Sequence, residues 1–224
     1  VLCFTKGGGT MLDWANAPAI IGVITKGLFW TVVISVTSII IGYFIGLGTG
    51  FARARHIRIL KTISSVYVWL IRSTPILVQA LYIYFVFPKI FGINLGHEVA
   101  GILAVSLNAG AYISEIVRGA IIEVPKGQWE AGLSLGLTRA QVVFKLILPM
   151  AFRTMLPALG NQFIITLKDT SILTVIGVAE MTYQAGQYAS STFEFVESYT
   201  ILAVFYLILI SLLTIAINIC EQKM

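Results

Sequence analysis

The sequence predicts an all-α integral membrane protein with about five transmembrane helices and one long cytoplasmic loop. Three observations carry this. Of 224 residues, 58% are hydrophobic and 11% charged, against roughly 45–50% and about 25% in soluble domains. The apolar residues fall in long uncharged blocks, not at the spacing of a water-facing amphipathic helix. The basic residues sit at the ends of those blocks, as membrane topology requires. A formal net charge of +5 does not indicate a nucleic-acid partner, because the cations do not gather with stacking aromatics on one face.

Taken in order, residues Val1 to Ala17 are Gly-rich and carry Lys6 and Asp13, so they lack the apolar core of a cleavable signal peptide. They read as an extracytoplasmic segment, 1–18, before one transmembrane domain, 19–224. The missing initiating Met points to a trimmed or engineered start. The first span is Gly27 to Ala52, 26 residues without a charge, which at about 1.5 Å each reach roughly 39 Å, beyond a hydrocarbon core of about 30 Å. The second is Ser73 to Pro88, entered obliquely from Ile63 to Ile71 with Arg72 near the inner interface. The third runs from Val99 to about Ile122 and is interrupted by Glu115 and Arg118, which lie one turn apart and can pair. The fourth extends from Phe152 to Leu167, with Thr170 to Ala179 continuing it or folding back. Ser198 to Cys220 is the fifth. No repeat of fixed period appears.

Five crossings put the termini on opposite sides. Arg53, Arg55, Arg58, Lys61, Lys126, Arg139, Lys145 and Lys223 then share one side, whereas the loop from Glu180 to Glu197 carries Glu180, Glu194 and Glu197 without a Lys or Arg. The basic side is expected to be cytoplasmic, with the N-terminus outside. Cys3 and Cys220 fall on opposite sides, so no disulfide is expected between them.

The loop from about 124 to 149 reads EVPKGQWEAGLSLGLTRAQVVFKLILP. Pro125 and Gly127 can open a short helix. Trp129, Leu133 and Leu137 recur at i, i+4 and i+8, giving it an apolar face, while Gly132 and Gly136 would admit another backbone. On periodicity alone this is an interfacial helix on the inner leaflet.

The spacing says more. Glu130, Ala131, Gly136, Leu148 and Pro149 resemble the EAA loop of ABC importer permeases, in which Glu-Ala-Ala is followed after three residues by Gly and after nine more by Ile-x-Leu-Pro. Gly132 replaces the second Ala and Leu146 the Ile, changes of size and not of charge. The stretches IRSTP (71–75), SLNAGAYISEIVRG (106–119) and LPALGNQFIITLKDTSILTVIG (156–177) are similar to the polar amino acid branch of that family, which usually has Gly where Ser73 stands. The resemblance implies a type I ABC importer permease-like fold, in which roughly Lys126 to Thr138 is a coupling helix seated in a groove of a cytoplasmic ATPase. Glu130, Ala131, Gly132, Gly136, Trp129 and Leu133 would make that contact. It implies as partners two ATPase subunits, a second identical or homologous permease and an extracytoplasmic amino-acid-binding protein, in the inner membrane of a bacterial cell. ATP and Mg would belong to the ATPase, with no cofactor on this chain.

The residues themselves agree with a non-catalytic role. No G-x-x-x-x-G-K-[ST] phosphate loop occurs. His56 and His97 fall on opposite sides, so neither a metal cluster nor a hydrolytic triad is expected. Ionisable groups inside spans cost at least about 2.5 kcal/mol each on insertion scales and usually face a cavity or a partner. Arg72 and Glu115 lie at matching depth and can form an interhelical ion pair shared with Arg118, or contact substrate. Lys168 and Asp169 offer both charges that a zwitterion crossing the membrane needs; they could equally snorkel or pair with each other. Asn161, Thr170 and Ser171 are candidates nearby, and Asn108, Thr74 and Gln79 could line a pathway or bond across helices. Pro75 and Pro157 interrupt helical bonding and are expected flexing points. Rival readings are a permease for an amine or opine, a self-sufficient ion-coupled transporter using Glu115 or Asp169 as proton relay, and a membrane scaffold.

Overall fold

A computed structural model describes residues 14–54 and 58–222. The expectations placed on Cys3, Lys6, Asp13, Arg55, His56 and Lys223 lie outside the described residues. Within them the chain forms helices and short connections. We number the helices α1 (Ala17–Ala54), α2 (Arg58–Arg72), α3 (Ile76–Phe91), α4 (His97–Glu123), α5 (Lys126–Ser134), α6 (Arg139–Ile176), α7 (Met181–Thr192) and α8 (Phe195–Gln222). Four of them, α1, α4, α6 and α8, are long and apolar enough to cross a membrane, and α2 with α3 makes a fifth candidate bent by 104°.

α1 and α4 are the central pair. Their contact follows from glycines spaced four apart on α1, which share one face of the helix. A Cβ on Gly42 would stand 3.1 Å from the Cβ of Ala109, and one on Gly50 would stand 2.7 Å from that of Val117. At Gly46 it would collide with the Ile113 side chain and the Gly110 carbonyl. The resulting core joins Ile39 of α1 and Ala109, Ile113 and Val117 of α4 to Val142, Ile147, Ala151 and Met155 of α6. Hydroxyls stitch the remaining seams: Ser38 donates to the Ile102 carbonyl at 3.3 Å, Tyr43 to that of Leu159 at 3.3 Å and Tyr67 to that of Leu107 at 2.6 Å.

Several boundaries differ from those predicted. α1 starts at Ala17, about ten residues before the uncharged block, because one exposed Lys26 can point its ammonium outward without ending a helix. The fourth span begins at Arg139 instead of Phe152, so the second half of the loop is already membrane helix, passing through a π-helical stretch at Val143–Ile147. Pro157 does not interrupt it: Leu148–Asp169 is continuous α-helix. The segment Thr170–Ile176 continues the fourth span, one of the two expected courses, but tightens into 3-10 geometry and ends at Gly177, whose φ is +82°. The loop from Glu180 to Glu197 is mostly α7, and two of its acids are buried. Glu180 caps α7 by accepting from the Tyr183 and Thr182 amides at 2.7 and 2.8 Å. Its backbone lies against Gly27, where a Cβ would be 2.7 Å from the Glu180 carbonyl carbon.

Candidate functional site

The predicted residues occupy four places. The first is the loop. Pro125 opens α5, whose inner face is the Trp129 ring on the α1–α4–α6 core and buried Gly132, while its other residues are exposed. Glu130 and Ala131 are exposed, Leu133 is 45% exposed and Leu135 79%. Leu137 does not continue the apolar stripe, since α5 stops at Ser134 and Gly136 reverses the chain at φ +75°. Gly132 does admit a close neighbour, but the neighbours are side chains: a Cβ there would lie 2.8 Å from both Leu146 Cδ1 and Val142 Cγ2. Gly136 has open space around it and is needed for its backbone conformation. After it, Thr138 and Gln141 form a capping box that starts α6. A short helix is thus fixed from below and presents a carboxylate and uncovered leucines above.

The second place is the corner between α2 and α3. Pro75 cannot donate to the preceding turn, which leaves the carbonyls at the end of α2 in need of partners. Gln79 supplies them: its Nε2 donates to the Ile71 carbonyl at 2.7 Å and to the Thr74 carbonyl and Oγ1 at 2.9 Å each. Asn108 of α4 donates to Gln79 Oε1 at 3.2 Å. These three predicted polar residues therefore meet, and what they line is the corner itself.

The third place is α6 at its change of geometry. The Thr170 hydroxyl bonds the Leu167 carbonyl and that of Ser171 the Lys168 carbonyl, both at 2.7 Å, so both are taken up locally. Lys168 is exposed and does not pair with Asp169. Asp169 is partly buried, and among the described residues its carboxylate has neither an ion pair nor a hydrogen bond. Asn161, two turns earlier, is exposed. Ile76 and Ala80 of α3 pack with Leu173 and Ile176, so the corner and the 3-10 segment are adjoining walls.

Glu115 sits in a cluster of its own. Arg118 donates to its Oε2 through Nε at 3.0 Å and Nη2 at 2.8 Å, and Arg72 reaches Oε1 at 3.6 Å. The tightest partner is Arg53 at 2.5 Å, which sequence reasoning had assigned to the cytoplasmic loop. Sequence reasoning missed Arg53, Ser65 and Tyr112 because their meeting depends on how α2 folds back along α1, which the periodicity of neither helix encodes. Among the described residues no three His, Cys, Asp or Glu side chains gather at metal-binding range.

A multi-pass helical bundle that carries charged groups within its spans and offers one braced loop helix at its end defines a polytopic membrane component. The chain belongs to the family described as binding-protein-dependent transport system inner membrane component, matched over residues 42–224. It is 41% identical over 213 residues to the glutamine transport system permease protein GlnP of Escherichia coli strain K12, covering 95% of this chain and 97% of the relative. To the L-cystine transport system permease protein TcyB of Bacillus subtilis strain 168 it is 39% identical, over 90% of this chain and 86% of the relative. A crystal structure of an amino acid ABC transporter with histidines superposes at TM-score 0.90 and 34% identity, covering 96% of this chain and all of that one. The MetNI methionine ABC transporter, at TM-score 0.77 and 23% identity over 92% of this chain and 97% of that one, shares the fold. The protein is therefore a non-catalytic, multi-pass membrane permease component.

Proposed function

We propose that the chain is the translocating subunit of an ATP-driven importer for polar amino acids, with two ATPase subunits, a second permease copy or homologue and an extracytoplasmic binding protein. The observation that carries this reading is α5: Trp129 and Gly132 hold it onto the core of the bundle, while Glu130, Leu133 and Leu135 stand uncovered. Uncovered leucines on a helix packed against the core and on the turn that ends it suit a socket on a partner. The positive charges flanking the loop favour a cytoplasmic position for it, which puts the N-terminus outside and the C-terminus inside. The cargo class is supported by relatives named for glutamine and L-cystine and by Asp169, whose unpartnered carboxylate can receive the ammonium of a zwitterion. In this mechanism, closure of the ATPases moves α5, and the movement passes through its contact with Val142 and Leu146 into α6, which carries Asp169 where its α-helical geometry gives way to 3-10.

Reconstitution into proteoliposomes with the ATPase and binding protein, assaying glutamine, cystine, arginine, an amine and an opine, tests the reading. Uptake of an amino acid that requires ATP supports it. Gradient-driven uptake by this chain alone, or ATP-driven uptake of the amine or opine only, overturns it.

A further inference from the structure

We propose that the cleft around Glu115 is an anion-binding site that takes a carboxylate or a phosphate group. Three guanidiniums, those of Arg53, Arg72 and Arg118, surround one carboxylate, and among the described residues no other acid lies within salt-bridge distance of them. The cluster carries a net charge of two cations (three Arg less one Glu). Glu115 lies eight residues, about 12 Å, from the end of α4 at Glu123, well inside a span. Excess charge at that depth calls for a counterion.

The three arginines are not equivalent. Arg118 uses Nε and Nη2 together on Glu115 Oε2. Arg53 is the least exposed, and its Nε donates to Ser65 at 3.3 Å. Arg72 is 3.6 Å from Glu115, its side chain is 44% exposed, and its guanidinium lies 5.3 Å from the centre of the Tyr112 ring. Its fork thus lies against the ring and, at 3.6 Å, forms an ion pair with Glu115 but no hydrogen bond to it. It opens onto a cleft of about 430 Å³ lined also by Ser65, Trp69 and Ser73.

The end of α2 would normally repel an anion through its free carbonyls. Here they are occupied: the Trp69 carbonyl accepts from the Ser73 amide at 3.0 Å, that of Leu70 from the Thr74 hydroxyl at 2.9 Å and that of Ile71 from Gln79. What remains at the cleft is a pre-positioned, bidentate donor, which matches the planar fork of a carboxylate or two oxygens of a phosphate. The group could be the α-carboxylate of the cargo, a source that rests on the proposed function, or the phosphate of an anionic lipid, which does not.

Binding to the purified full chain in phosphatidylcholine nanodiscs distinguishes these, with sodium acetate, inorganic phosphate and glutamine titrated against chloride at equal ionic strength and tryptophan emission followed. A parallel set of nanodiscs contains phosphatidylglycerol. The expected result is a saturable response, lost with Trp69→Phe, and weakened at least tenfold by Arg72→Gln and several-fold by Arg72→Lys, which keeps the charge and removes the fork. Response to the soluble anions assigns the site to small solutes; response only to phosphatidylglycerol assigns it to lipid. No saturable response in any arm, or equal affinity in wild type and Arg72→Lys, overturns the proposal. The assay needs neither ATPase nor uptake, so failure of the transport reading leaves its outcome standing, and the reverse holds.

Discussion

The side-chain amide of Asn108 donates to Gln79 Oε1 at 3.2 Å, joining the middle of α4 to the sharpest corner in the fold. The same glutamine satisfies the carbonyls that Pro75 leaves open, so one buried side chain holds the 104° turn and one asparagine holds that side chain.

Replacing Gln79 with Leu strands the Thr74 carbonyl and the Asn108 amide and leaves the Ile71 carbonyl only its 3.4 Å bonds from Thr74. Each buried polar group left unpaired costs about 1–3 kcal/mol. Gln79→Leu is therefore expected to lower the melting temperature of the detergent-solubilised chain clearly, and Asn108→Leu less. In the double variant the losses should fall short of the sum, because the two groups act on one another.

Gly46→Leu places a side chain where Ile113 and the Gly110 carbonyl already stand. Overpacking of this kind costs typically about 1–3 kcal/mol and more where backbone blocks relief. Yield of folded protein by size-exclusion chromatography should collapse, whereas Gly48→Leu, with open space around it, should elute as wild type.

On α5, Glu130 is exposed and Gly132 is enclosed, so the two positions separate docking from folding. Glu130→Lys should change stability by less than about 0.5 kcal/mol while reducing substrate-stimulated ATP hydrolysis in the reconstituted assembly. Gly132→Val should do both kinds of damage by pushing Val142 and Leu146 aside. Gly136→Trp adds the cost of a left-handed backbone, about 1–2 kcal/mol. Full substrate-stimulated hydrolysis by Glu130→Lys would refute the docking role.

For Asp169→Asn, removal of a carboxylate without a bonding partner should leave the melting temperature equal or higher. Uptake should fall at least tenfold in proteoliposomes. Unchanged uptake would remove Asp169 from the pathway and return it to a packing role.

The spans were legible because apolar length is a strong signal, and α8, with no charge between Ser198 and Cys220, was placed to within a few residues. Of the loop, the short helix opening after Pro125 was legible; its second half, from Arg139, was not, and Gly132 and Gly136 serve side-chain packing and a left-handed turn instead of a backbone contact. α7 was not legible, since the face it buries is only Met181, Ala185 and Ala189, two of them too small to stand out among polar neighbours, and its start is owed to the Glu180 cap. Prolines were legible only in part: Pro75 ends a helix because a 3-residue break follows Arg72, while Pro157 is absorbed in α6. Of the candidate site, the Glu115–Arg118 pair followed from one-turn spacing, whereas Arg72 joins them across a 104° corner that a depth counted along a straight span does not contain. Arg53 did not follow either, because its nearness depends on how α1 and α2 pack.

The glycine face of α1 has a mechanical consequence. Where backbones touch through Gly42, Gly46 and Gly50, neither helix can slide or roll against the other without steric conflict. α1 and α4 must travel as one spar, so any opening of a passage has to come from the elements hung around it.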